Sequence, residues 1–204
     1  MPAYYSISIS IKKKNKYDCL FEDFINILKS KGFVYKSGFW GFEDNTLDEI
    51  ISWNTDKLNS DFELGDDENY SHDYKQICWN YQSFSEVRLF IFNIQKKDSF
   101  SFNIIIPEDD FIKFKRGTAK YDPQVISVLK QLACDIWQWE YVDAIQTSLE
   151  LSDGDVSFDK IEKGELPSAE PFAIIPAVFW NGSDDREYNV TAIQRGGALI
   201  EKIY

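Results

Sequence analysis

From Tyr4 to Ile11 the chain alternates without interruption: Tyr5, Ile7, Ile9 and Ile11 fall on one side of an extended backbone, and Tyr4, Ser6, Ser8 and Ser10 on the other. Successive side chains of a strand point to opposite faces, so this period of two predicts a strand half-buried against a core, with its serines toward water. Such a strand needs something to pack on its apolar face. The next segment supplies it: Leu20, Phe21, Phe24, Ile25 and Leu28 recur at helical spacing behind Asp18, a capping residue type, with Lys29 and Lys31 near the far end and Gly32 just beyond.

The rest of the chain continues in short elements. Phe33 to Lys36 is expected to return as a strand, and Thr46-Leu-Asp-Glu49 has the pattern of a capping box before a short helix containing Ile50, Ile51 and Trp53. The β-rich runs Ile77 to Tyr81, Val87 to Ile94 and Phe100 to Ile106 follow, the last two forming an antiparallel hairpin across Gln95 to Asp98. Asp122 before Pro123 marks a second amphipathic helix, whose buried stripe is Val125, Ile126, Leu129, Leu132, Ala133, Ile136 and Trp137. Asp153-Gly-Asp155 predicts a turn and Ser157 to Lys163 a short helix stopped by Gly164. Phe172 to Trp180 and Tyr188 to Gln194 are read as a closing pair of strands, with Pro176 pushing the first toward an edge or bulge and Gly196-Gly197 as a turn or bulge. The expected class is α+β: a mostly antiparallel mixed sheet packed against two main amphipathic helices. A chain of 204 residues without repeat or linker is expected to form a single domain over residues 1–204.

The chemistry the chain carries is sparse. His72 is its one histidine, so no paired-histidine metal site follows from the sequence, and a catalytic triad would have to be built on a histidine in an acidic stretch with no nucleophile motif around it. Asp153, Asp155 and Ser157 open like a calcium loop, but the sixth position is Phe158 and the twelfth Gly164, where glycine and glutamate are needed. No glycine-rich phosphate loop is present. The sequence therefore assigns no catalytic residue, metal or cofactor. Cys19, Cys78 and Cys134 are too few and too widely spaced for a disulfide framework and are expected as buried reduced thiols; with no signal-like or membrane-spanning stretch, a cytoplasmic location is expected.

Charge points to binding instead. The formal net charge is −12, which disfavours nucleic acid and anionic membranes as partners and favours cationic ones. The charge is uneven: residues 1 to 40 carry seven lysines, whereas Leu58 to Tyr74 holds Asp61, Glu63, Asp66, Asp67, Glu68 and Asp73 with no Lys or Arg. That stretch is read as a solvated loop, and Trp53, Phe62, Tyr70 and Tyr74 interleave or flank it. Aromatic anchors ringed by carboxylates suit a basic protein partner. The candidate partner-binding residues are accordingly Trp53, Asp61, Glu63, Asp66, Asp67, Glu68 and Tyr70. Lesser acidic groups are Asp153, Asp155, Asp159 and Glu162, and Trp180 beside Asp184 and Asp185.

The opening Tyr4 to Ile11 strand leading into an amphipathic helix, the aromatic cluster Gly38-Phe-Trp-Gly-Phe42 and the segment Ile161-Glu-Lys-Gly-Glu-Leu-Pro167 before closing strands together resemble the immunity proteins of bacterial polymorphic-toxin systems. The resemblance implies a non-enzymatic inhibitor that neutralises a cognate toxin domain by stoichiometric binding, often to a basic nuclease. Two alternatives stand beside it: a regulatory or scaffold module that binds another protein or a small ligand in an aromatic cleft, and a carboxylate-based hydrolase, which would need two close carboxylates of divergent pKa.

Overall fold

The computed structural model describes residues 3–38, 45–65, 70–94, 97–115, 118–182 and 186–203. Its centre is a nine-stranded sheet in which every neighbouring pair is antiparallel. The strands are β1 (Tyr4–Lys12), β2 (Val34–Gly38), β3 (Ile77–Asn80), β4 (Val87–Phe92), β5 (Ser99–Pro107), β8 (Ala144–Ser148), β9 (Phe172–Pro176), β10 (Tyr188–Ile193) and β11 (Gly197–Lys202), in the spatial order β10-β11-β9-β8-β1-β5-β4-β3-β2. A separate small hairpin, β6 (Ile112–Lys115) with β7 (Thr118–Tyr121), closes one end. The helices are α1 (Leu20–Ser30), α2 (Leu47–Asn59), α3 (Pro123–Trp137) and the one-turn α4 (Phe158–Ile161). The α+β class and the antiparallel sheet hold, α1 and α3 are the two amphipathic helices expected, and α2 is a third of substantial length rather than a short one.

The two faces of the sheet are filled differently. On one, Tyr5, Ile7, Ile9 and Ile11 of β1 stand opposite Ile106, Ile104, Phe102 and Phe100 of β5, all buried beneath the helices. From α1, Phe24 stacks on Phe102 with ring centroids 4.6 Å apart and Phe21 lies 5.5 Å away. The other face carries Ser6, Ser8 and Ser10, with Ser101 and Asn103 across the seam. Here the expectation of a half-buried strand fails at its centre: Ser8 and Ser10 are buried as well. The segment from Leu149 to Pro171 crosses this face, and Phe158 and Ile161 of α4 pack on Ala144, Ile175 and Ile200 at the β8–β9–β11 end.

Several local expectations need correction. The N-cap of α1 is Cys19, which offers no side-chain hydrogen bond, so Asp18 does not cap the helix. The Thr46/Glu49 capping box and the Asp122 cap with Pro123 in the first turn of α3 are both present. The closing strands do not pair with each other. β11 lies between β9 and β10, joined to β10 by a tight turn at Gln194–Gly196, so Gly196 is in the turn expected and Gly197 opens a strand that the sequence does not announce. Pro176 ends β9, where a missing N–H costs the ladder least, and β9 itself is an interior strand. Of the cysteines, Cys78 is buried and Cys134 half-buried, but Cys19 is exposed.

The β10–β11 turn is pinned to the end of α3. The guanidinium of Arg195 donates to the carbonyl oxygens of Trp137, Trp139, Glu140 and Val142 and lies 4.4 Å from the Trp137 ring centroid. A cation on these carbonyls satisfies acceptors at the end of α3 and in the turn after it, of which Trp139 O also takes the Val142 N–H, and it complements the negative end of the helix dipole. Trp137 Nε1 donates to Gln194 O at 3.1 Å, and a Cβ on Gly197 would come within 2.5 Å of that nitrogen, so the hairpin can approach only with glycine there.

Candidate functional site

The acidic stretch begins inside α2 and is tied down more firmly than a solvated loop. Trp53 Nε1 donates to Asp73 O at 2.9 Å, and buried Asn54 exchanges two 2.8 Å hydrogen bonds with the main chain of Lys75. Phe62 O accepts from both Tyr74 OH and Asn93 Nδ2, and Leu64 N donates to Asn93 O at 2.7 Å. Tyr74 is therefore a buried clamp and not a surface anchor.

Two of the candidate carboxylates find partners far away in sequence: Glu63 pairs with Lys13 at 2.7 Å and Asp61 with Lys16, whose ammonium also caps Leu58 O at the end of α2. The lysine-rich turn after β1 thus lies against this stretch. The partners are unequally placed, however. Asp61 keeps 79% of its side chain exposed while Lys16 keeps 20%. Lys57 folds over Phe62, its Nζ 3.9 Å from the ring centroid, and Lys75 lies 4.7 Å from the Trp53 centroid while donating to Asn45 Oδ1. These amines turn in over rings and carbonyls, while Asp48, Glu49, Asp56 and Asp61 remain exposed along α2 and its end. Trp53 is half-buried beneath Lys57 and Lys75, so its ring supports this surface from below. Asp66, Asp67 and Glu68 lie outside the described residues, as do residues 39–42 of the aromatic cluster and Asp184 and Asp185; of Tyr70 only the main chain is described, in a short turn with Ser71 and His72. His72 is exposed.

A second feature escaped the sequence reasoning. On the serine face of the sheet, a cleft of about 350 Å³ runs between Phe90 and Phe92 of β4 and the segment Gly154–Phe158, floored by the serines of β1 and β5 and by Asn103. It continues past Lys97, Ser99, Ser157 and Phe158 into a lobe of about 520 Å³ that includes Lys12, Lys14, Asp159 and Glu162. Ser8 sits at the base, 1% exposed, and its Oγ makes no well-formed hydrogen bond, the Asp155 carboxyl being its nearby polar neighbour. Asp155 is on the wall; the residue is exposed overall, yet loss of water around its carboxyl raises it above the usual carboxylate range, opposed in part by the nearby Ser8 hydroxyl, the Lys97 ammonium and the Ser148 hydroxyl. The signal available in the sequence was the serine row of β1, which reads equally well as a solvent face when its neighbours are unknown.

The cleft bears on the hydrolase alternative. Asp155 is shifted up and Asp159 down, but the latter shift is that of an exposed carboxylate at the start of α4, accepting from Ser157 and paired with Lys163 at 3.6 Å. An acid–base pair needs both groups turned to one reacting atom, and Asp159 is committed to the helix start. Among the described residues no group of three metal-ligating side chains converges, and no helix is long and apolar enough to cross a membrane. No family model, curated protein or solved structure matches the chain.

Proposed function

We propose that this chain is a stoichiometric, non-enzymatic inhibitor of the immunity type, which captures a cationic protein domain through the outer face of α2 and the turn that follows it. The observation that carries this reading is the sorting of charge on that surface: Lys16, Lys57 and Lys75 turn inward, and Asp48, Glu49, Asp56 and Asp61 are left outward. With a net charge of −12 behind it, such a surface draws in a basic partner by long-range attraction and disfavours acidic ones. Trp53, held by its hydrogen bond to Asp73 O, gives the surface an anchored centre. Glu63, the more buried of the two paired acids, fixes the turn, so its role is support rather than contact.

The test is capture followed by protection. The tagged chain is used to retain proteins from its own host, and any stoichiometric partner is then expressed in a naive cell with and without the chain. A partner that arrests growth alone, is harmless beside the chain, and escapes a folded D48K/D56K/D61K variant supports the proposal. Equal protection by that variant removes the α2 surface from it, and a retained partner with no toxicity removes the immunity role.

A further inference from the structure

We propose that the cleft on the serine face is a binding site for a small phosphorylated ring compound bearing hydroxyl groups, the chemistry shared by nucleoside monophosphates and sugar phosphates. The site is independent of the α2 surface and stands or falls apart from it.

Three features of the cleft converge on that class. Its size lies within the range of small-ligand sites, roughly 300–1,000 Å³, both for the inner part at about 350 Å³ and for the outer lobe at about 520 Å³. One wall is aromatic: Phe90 and Phe92 lie 5.1 Å apart, and Phe92 is 41% exposed, an apolar surface that a flat ring would cover. Its base is polar: Ser8 Oγ is buried without a well-formed hydrogen bond, and the Asp155 carboxyl stands near it with its water partly removed. A buried hydroxyl without such a bond is costly unless something completes it, and hydroxyl groups on a ligand body match a floor of hydroxyls and a carboxyl.

The outer lobe supplies the charge. Lys12 is spent on Glu162 at 2.7 Å and lies over the Phe158 ring, and Lys13 is spent on Glu63. Lys14 and Lys97 line the same lobe, and among the described residues neither forms an ion pair. Asp98, Asp159 and Glu162 line the lobe as well, so its four lysines leave it with one positive charge in excess. The overall field repels an extended polyanion, but at physiological salt it is screened beyond about 8 Å, so a single phosphate at the lobe responds to the lysines next to it. No glycine-rich loop is needed, because the phosphate is met by side-chain ammonium groups.

Titration of the full chain with adenosine monophosphate, glucose 6-phosphate and inorganic phosphate, followed by calorimetry at two salt concentrations, tests the site. Saturable binding of one of the ring phosphates is expected, at least tenfold tighter than inorganic phosphate and weakened by salt. Lys97→Glu and Phe92→Ala, both at exposed positions and each first shown to fold by circular dichroism, should each reduce it about tenfold, a change of ~1.4 kcal/mol. Preference for adenosine monophosphate with the larger loss in Phe92→Ala assigns the aromatic base as the recognised ring; preference for glucose 6-phosphate with the larger loss in Asp155→Asn assigns the hydroxyls. Absence of saturable binding by all three up to about 10 mM, or binding unchanged in both folded variants, overturns the proposal.

Discussion

Along β1, neighbouring side chains enter two unlike environments: Tyr5, Ile7, Ile9 and Ile11 sink among the rings of α1 and β5, while Ser6, Ser8 and Ser10 face a thin cover of loop and a cleft. The comparison is instructive because burial alone does not separate them. Ser8 is as inaccessible as Ile7, yet one face is closed by matched volumes and the other is closed in part by a segment laid across it. Hydrophobic packing accounts for the first face. On the second, a small polar residue leaves room where an isoleucine would fill the cleft, so the serines keep space open rather than close it.

The difference can be broken or sharpened by substitution. Phe102→Ala should cost the most, about 3–5 kcal/mol in urea unfolding, since it removes the ring on which Phe24 and Phe21 pack; a cost below about 1 kcal/mol would deny that this face is the structural one. Arg195→Ala, which takes this donor from the carbonyls of Trp137, Glu140 and Val142 and leaves Trp139 O with Val142 N alone, should cost about 2–3 kcal/mol by the same measurement, with the loss confined to stability.

On the serine face the sign reverses. Burial raises the folded-state pKa of Asp155, so its contribution to stability is full below the unfolded value and is lost as pH rises through the folded one. Asp155→Asn should therefore melt slightly above the parent at pH 7, by no more than about 0.5 kcal/mol given its solvent access, with the gap closing toward acid. An unchanged gap across that range would mean the carboxyl is not desolvated. Ser8→Ala should be the smallest effect, within about 0.5 kcal/mol, because no well-formed hydrogen bond is lost. A cost above about 1 kcal/mol would show that the hydroxyl is partnered after all.

What could be read from the sequence follows the same division. β1, α1, α3 and the β4–β5 hairpin were legible because one face of each meets the helix-side core and so carries a clean period. β8 was not: Ala144-Ile-Gln-Thr-Ser148 is an interior strand buried along its whole length, and its polar residues are satisfied by tertiary partners, Gln146 with Val156 and Ser168 and Thr147 with Phe172. β11 was hidden by the glycine that the Trp137 contact requires. The acidic stretch was visible as composition, but its pairing with Lys13 and Lys16 depends on where the turn after β1 is carried in space. The cleft was invisible for a related reason, since a serine row declares its polarity and not what lies above it.

β1 lies in the middle of the sheet, with Ile9 facing Phe102 across one seam and Ile145 across the other. Both neighbours come from segments far downstream, so the sheet cannot close around its centre until the chain through Ser148 is present. Until then an alternating, strongly β-prone segment has at least one edge of main-chain donors and acceptors open to wrong pairing. Assembly of this sheet is thus a late, cooperative event, slowed by the distance along the chain between partners, and β1 is the part most in need of shelter while it waits.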